Sequence, residues 1–207
     1  MKLSRVVYAA FGKRALDIVI SALALILVSP ILVVVFFLVR RDLGKPVFYR
    51  HLRPSKDGKP FILYKFRTMT DARGSDGNLL HDDERLTKLG KFLRSSSIDE
   101  LPELWNVLKG EMSLVGPRPL LMEYLDRYTP EQARRHEVKT GMTGWAQVNG
   151  RNAIKFAERF KLDVWYVDNM SFWLDVKILV MTVRKILLRE GIDQQGGKME
   201  VFKGTKA

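Results

Sequence analysis

The stretch IVISALALILVSPILVVVFFLV, residues 18–39, decides how the rest of the chain is read. Its 22 residues carry no charge, and only Ser21 and Ser29 are polar. About 20 apolar residues suffice for a helix to cross a bilayer. The stretch is too long for the apolar core of a secretion signal. It lacks a small-residue cleavage motif and runs straight into Arg40-Arg41-Asp42. Two features argue against a simple span. Ser29-Pro30 stands in the middle, where proline removes a backbone hydrogen bond and kinks a helix. Both flanks are basic, Lys13-Arg14 before and Arg40-Arg41 after, and basic flanks prefer the cytoplasmic side. A hairpin that dips in and returns satisfies both flanks, whereas a proline-kinked single pass satisfies one. Arms of about 9–11 residues at ~1.5 Å each reach roughly half of a ~30 Å hydrocarbon core. The membrane break then falls at Ser29 and Pro30, where the Ser29 hydroxyl can donate to a carbonyl of the preceding turn.

Working outward, the expected organisation is a re-entrant helix-break-helix with its flanks over residues 1–42. A cytoplasmic domain follows over 43–190, then a loosely structured tail over 191–207. The mean hydropathy of −0.09 averages these unlike parts. The net charge of +12 calls for an anionic partner: nucleic acid, an anionic membrane surface or a phosphorylated substrate. Lysines and arginines are spread along the chain rather than gathered in one stripe, which counts against nucleic acid. With no cysteine, disulfides, thiolate catalysis and cysteine-based zinc sites are excluded. The three histidines, His51, His81 and His136, lack metal-ligand spacing.

The fold class is α+β, mostly helical. Residues 47–52 and 61–68 read as strands around the turn Ser55-Lys56-Asp57-Gly58, with Ile62, Tyr64 and Phe66 on one face and Lys65 and Arg67 on the other. Residues 71–83 form a polar loop. A helix is expected over 84–94, with Leu86, Leu89 and Leu93 at helical spacing. Another carries Leu101, Leu104, Trp105 and Leu108 and stops at Gly110. Thr129-Pro130-Glu131-Gln132 is a helix start. Residues 153–168 are expected to be helical with Ala157, Phe160 and Val164 inward. Residues 174–189, preceded by Phe172-Trp173, make either a core helix or an interfacial amphipathic one.

Three places carry chemistry. Asp99-Glu100 follows Ser95-Ser96-Ser97. Capping by Ser97 or by Asp99 itself is the ordinary job for such residues. In Gly116-Pro117-Arg118-Pro119, two prolines stiffen the backbone around one guanidinium. That suits bidentate phosphate binding, as it also suits a rigid turn with a solvated arginine. TGMTGWAQVNGR, residues 140–151, is a polar loop with one aromatic that can hold a base by stacking and amide bonds, or be simply a loop. No dinucleotide or P-loop glycine motif is present.

Taken in order, KRALDIVISALALILVSPILVV, YKFRTM, RSSSIDELPELWNVLKGEMSLVGPRPLLMEYL, GMTGWAQVNGRNAI and DVWYVDNMSFWLDVKIL cover nearly the whole chain. The sequence resembles the small monotopic phosphoglycosyl transferases of the bacterial sugar transferase family, in the short branch typified by the initiating transferase of bacterial N-glycan assembly. The resemblance implies a two-step reaction. Asp99 of the Asp99-Glu100 dyad attacks the sugar-linked phosphate of a UDP-sugar, UMP leaves, and polyprenol (undecaprenyl) phosphate takes the phosphosugar from Asp99. It also implies Mg2+ at Asp99 and Glu100, and a re-entrant helix at the cytoplasmic face of the bacterial inner membrane, among membrane lipids. Lys65, Arg67, Arg94 and Arg118 are the expected phosphate-binding cations. Gln147, Asn149 and Arg151 are the expected nucleotide side. Glu103 stands where many relatives have glutamine, and no function is read into it. The rival readings are a basic binding module without catalysis and a phosphodiesterase of similar substrates.

Overall fold

The computed structural model describes residues 8–150, 154–188, 202 and 204. After a π-helical turn at Tyr8–Gly12, helix α1 runs over Lys13–Leu43, helical at each of its 31 positions. The expected helix-break-helix is thus one backbone helix that passes through Pro30. Proline at 30 deprives the Ile26 carbonyl, four residues back, of its donor. The Ser29 hydroxyl supplies another, donating to the Ile26 carbonyl at 2.8 Å. This is a physical reason for the continuity.

Both ends of α1 meet the same folded body. At the start, Lys13 pairs with Asp175 at 2.6 Å, and Arg14 donates to the carbonyls of Val107 and Leu108, each at 2.7 Å. Asp17 accepts from Ser113 Oγ and the Leu114 amide. Toward the end, Val35 and Val39 are buried with Val47, Phe66 and Leu93. Between them Leu23, Ile26, Leu27, Val33, Val34 and Phe37 are exposed, Leu27 by 79%.

Strands β1 (Phe48–Pro54) and β2 (Pro60–Phe66) form an antiparallel hairpin. Its turn takes left-handed conformations at Asp57 and Gly58. Period-two alternation puts Tyr49, His51, Arg53, Phe61, Leu63 and Lys65 on one face. The expected split of Ile62, Tyr64 and Phe66 from Lys65 holds, and both faces contribute to the core. Phe61 and Leu63, on the Lys65 face, enter the larger core, while Ile62 is exposed and Phe66 joins the cluster against α1.

The helix expected over 84–94 is two: α2 (Asp82–Arg85) and α3 (Lys88–Ser95). Leu86 bridges to Met69 instead, and Thr87 caps α3 by accepting from the Gly90 amide. A 3-10 turn, Ile98–Glu100, leads to α4 (Glu103–Lys109), which ends at Gly110 in the left-handed region. The buried side of α4 is Glu103, Leu104, Asn106 and Val107, and Trp105 is exposed, so the inward stripe is rotated from the expected one.

Strand β3 (Ser113–Val115) pairs in parallel with β4 (Gly141–Thr143). The glycines of this pair are needed for contact: a Cβ on Gly141 would lie 2.1 Å from the Gly116 amide nitrogen, and one on Gly144 2.2 Å from the Gly116 carbonyl. Helix α5 (Pro130–Ala133) opens on the expected capping box of Thr129 and Gln132. Helix α6 (Trp145–Asn149) follows β4. Helix α7 (Phe156–Asn169) buries Phe160 and Val164 as expected, though Ala157 is exposed. Helix α8 (Phe172–Leu188) turns Asp175 and Ile178 into the core and leaves Trp173, Val180, Val183 and Leu188 exposed. Of the tail, Phe202 is buried among Tyr124, Tyr128, Phe156 and Phe160, and apart from Gly204 the rest of 191–207 lies outside the described residues.

Candidate active site

The Ile98–Glu100 turn holds the acid pair. Ser97 before it is left-handed (φ 57) and makes no side-chain cap bond, and Asp99 caps nothing either. Neither capping role is taken. Asp99 is buried, and among the described residues its carboxylate accepts no hydrogen bond.

Glu100 is held differently. Its Oε1 accepts from Lys65 at 2.5 Å and from Arg118 at 2.6 Å. Lys65 also pairs with Glu103 at 3.1 Å. Lys65 comes from β2, opposite Tyr49 in the register. Arg118 is positioned through its backbone: the Gly116 amide donates to Thr143, the Gly141 amide to the Pro117 carbonyl, and Arg135 to the Arg118 carbonyl at 2.8 Å. Arg135 is itself fully buried and paired with Asp163 at 2.8 Å.

The three acids are pushed apart electrostatically. Burial, with the Glu100 charge, raises Asp99 to about 6, against the pull of Lys65, Arg94 and Arg118. Burial opposes the Glu100 charge too, but Arg118 and Lys65 outweigh it and hold Glu100 well below the usual carboxylate range. Burial raises Glu103 to about 7, against Lys65. Such a spread gives neighbouring acids different roles at one pH. The cluster combines an under-compensated carboxylate with two fixed cations, which suits attack on an anionic phosphoryl centre.

Of the expected cations, Lys65 and Arg118 join the acids directly. Arg94 donates to Thr68 and Met69 and lies near enough to Asp99 to favour its charge. Arg67 does not join them: it is engaged with the carbonyls of Leu43, Lys45 and Met69 and with Asp71, tying the hairpin to the end of α1. Gln147 donates to the Met142 carbonyl and Asn149 to the Trp145 carbonyl, and neither bonds to the acid cluster. Trp145 is stacked on Trp165 at 4.9 Å with Lys177 over its ring, so its indole is engaged within the fold. Arg151 lies outside the described residues. Glu103 was set aside in the sequence, yet it is 4% exposed and in the cluster. An acid in the first turn after Pro102 was the signal available, and capping explains that signal equally well.

The model of the family described as bacterial sugar transferase matches residues 8–189. The chain belongs to the bacterial sugar transferase family. The transferase is 61% identical to an uncharacterized sugar transferase, EpsL, of Bacillus subtilis (strain 168), over 88% of this chain and 90% of that one. It is 44% identical to the UDP-glucose:undecaprenyl-phosphate glucose-1-phosphate transferase of Klebsiella pneumoniae, over 84% of this chain and 39% of that one. It is 41% identical to the undecaprenyl-phosphate galactose phosphotransferase of Salmonella typhimurium, over 87% and 41%. The transferase therefore spans most of the Bacillus relative and about two-fifths of the other two.

Proposed function

We propose that this enzyme moves a sugar 1-phosphate from a UDP-sugar to polyprenol phosphate, releasing UMP, through a phosphosugar carried on Asp99. The observation that carries this reading is the buried Asp99 carboxylate, free of hydrogen-bond donors among the described residues, beside Lys65, Arg94 and Arg118. An Asp99 oxygen attacks the phosphorus that bears the sugar. The bond from that phosphorus to the bridging oxygen breaks, and UMP leaves with its electron pair. An oxygen of polyprenol phosphate then attacks the same phosphorus and displaces the Asp99 carboxylate. Arg118 and Lys65 stand where charge gathers on the phosphoryl oxygens, and Glu100 holds both in place.

The donor set suits Mg2+, which takes one or two carboxylates and completes its shell with water and substrate phosphate. Asp99 has the uncommitted carboxylate, and both cation bonds to Glu100 fall on Oε1. When bound, the ion would neutralise diphosphate charge.

The membrane reading is a re-entrant α1 at the cytoplasmic face of the bacterial inner membrane. It is supported by the contact of both ends of α1 with one folded body and by the exposed apolar middle. The exposed Trp173, Val180, Val183 and Leu188 of α8 suit the bilayer interface.

The test is intact-protein mass after exposure to a panel of UDP-sugars with Mg2+ and no acceptor. Wild type should gain one phosphosugar, Asp99→Asn none, and undecaprenyl phosphate should discharge the adduct. Substantial turnover by Asp99→Asn would refute the assignment. UMP release that is indifferent to undecaprenyl phosphate would favour the phosphodiesterase.

A further inference from the structure

Arg53 lies on the same hairpin face as Lys65, directly opposite Phe61. Its charge is felt by Glu103, which attracts it, and by Arg118, which repels it. Among the described residues it forms no ion pair, and its Nε is buried with no hydrogen-bond partner. Lys65 and Arg118 have Glu100 and Glu103 beside them, whereas Arg53 is left without an acid of its own. A half-buried guanidinium with no ion pair of its own is less favourable than a paired one, and a second guanidinium nearby makes it more so. An oxyanion bonded by both relieves the two at once.

The hairpin's two faces enter two different clusters. Phe66, on the opposite face, packs with Val35 and Val39 of the membrane helix, and Phe48 packs against Phe36. The Arg53 face meets the larger core instead, where Phe61 and Leu63 lie in the cluster against which Ile20, Ala24, Leu25 and Val28 of α1 pack. Beside Arg118, Arg53 offers a second guanidinium, and two guanidiniums match the two phosphates of a diphosphate better than the single phosphate of a lipid.

We propose that Arg53 binds substrate directly, sharing the diphosphate of the nucleotide-sugar donor with Arg118. This rests on the transfer reading above, and UDP serves as a probe that does not depend on which sugar is used. Binding of UDP and of uridine is measured for wild type, Arg53→Gln and Arg53→Lys, together with the unliganded melting temperature. Arg53→Gln should lose roughly tenfold or more in UDP affinity and nothing in uridine affinity, with a melting temperature equal to wild type or higher. Arg53→Lys should fall between. In turnover, KM for the UDP-sugar should rise while KM for polyprenol phosphate stays within about twofold. Unchanged UDP affinity, or a loss confined to polyprenol phosphate, would overturn the proposal. So would a lowered melting temperature in both variants, which would make Arg53 structural. If wild type released no UMP, the transfer reading would fall, while the UDP comparison would still decide whether Arg53 binds diphosphate.

Discussion

Arg118 reaches Glu100 from a backbone fixed by two prolines, a glycine pair and the buried Arg135. If that rigidity serves a fork aimed at phosphate, lysine keeps the charge and loses the geometry. Arg118→Lys should lower kcat/KM by roughly 10–100-fold without lowering the melting temperature, and near-normal kinetics would return Arg118 to an ordinary turn. His136 tests the fold instead. Its Nδ1 lies 3.1 Å from the Ser55 carbonyl, and its Nε2 is buried without a partner. Only the neutral ring with its proton on Nδ1 fits, and burial, helped by Arg135, pushes His136 from 6.5 down to about 4. The unfolded chain then binds the extra proton first. Stability is fully present above about pH 6.5 and is lost as pH falls toward 4, by about 2 kcal/mol between pH 7 and pH 5. Denaturant unfolding across that window should show the slope in wild type and a flatter one in His136→Asn. Equal slopes would mean that other groups govern it.

At the scale of the element, α1 depends on one side chain to cross its own proline. Without the Ser29 hydroxyl the Ile26 carbonyl has no donor, which costs about 1–3 kcal/mol away from water. Ser29→Ala should therefore lower the unfolding temperature in nanodiscs by about 2–4 °C per kcal/mol lost. In Pro30→Ala the restored amide serves Ile26, and adding Ser29→Ala to that background should cost almost nothing. An equal cost in both backgrounds would show that the hydroxyl bond to Ile26 is not what stabilises the helix.

The proposed re-entrant reading of α1 belongs to the scale of the whole molecule. Lys13, Arg14 and Asp17 at one end and Val35 and Val39 at the other are joined to a single body, through a buried network at the first and apolar packing at the second. A body that holds both ends cannot stay intact with a bilayer between them. Cysteines introduced at Lys2 and Lys45, in a chain with none of its own, should both resist a membrane-impermeant thiol reagent in spheroplasts and both react in inverted vesicles. Labelling of Lys2→Cys alone from outside would establish a full span.

What the sequence by itself determined is local. The charge-free run with basic flanks, the hairpin around Ser55-Lys56-Asp57-Gly58, the Thr129 capping box and the Gly110 stop each depend on a few neighbouring residues. So does the stiff backbone around Arg118. Asp99 and Glu100 were legible through resemblance, because their spacing alone fits a helix cap equally well. The tertiary structure decided what depends on separation in sequence. It brought Lys65 from a strand and Arg118 from a loop onto Glu100, buried Glu103 beside them, set Arg67 to tying elements together, and left the Arg53 Nε without a hydrogen-bond partner among the described residues. Whether a charged side chain meets a counter-ion or none is a property of the elements packed around it, and those are set by burial across the whole fold.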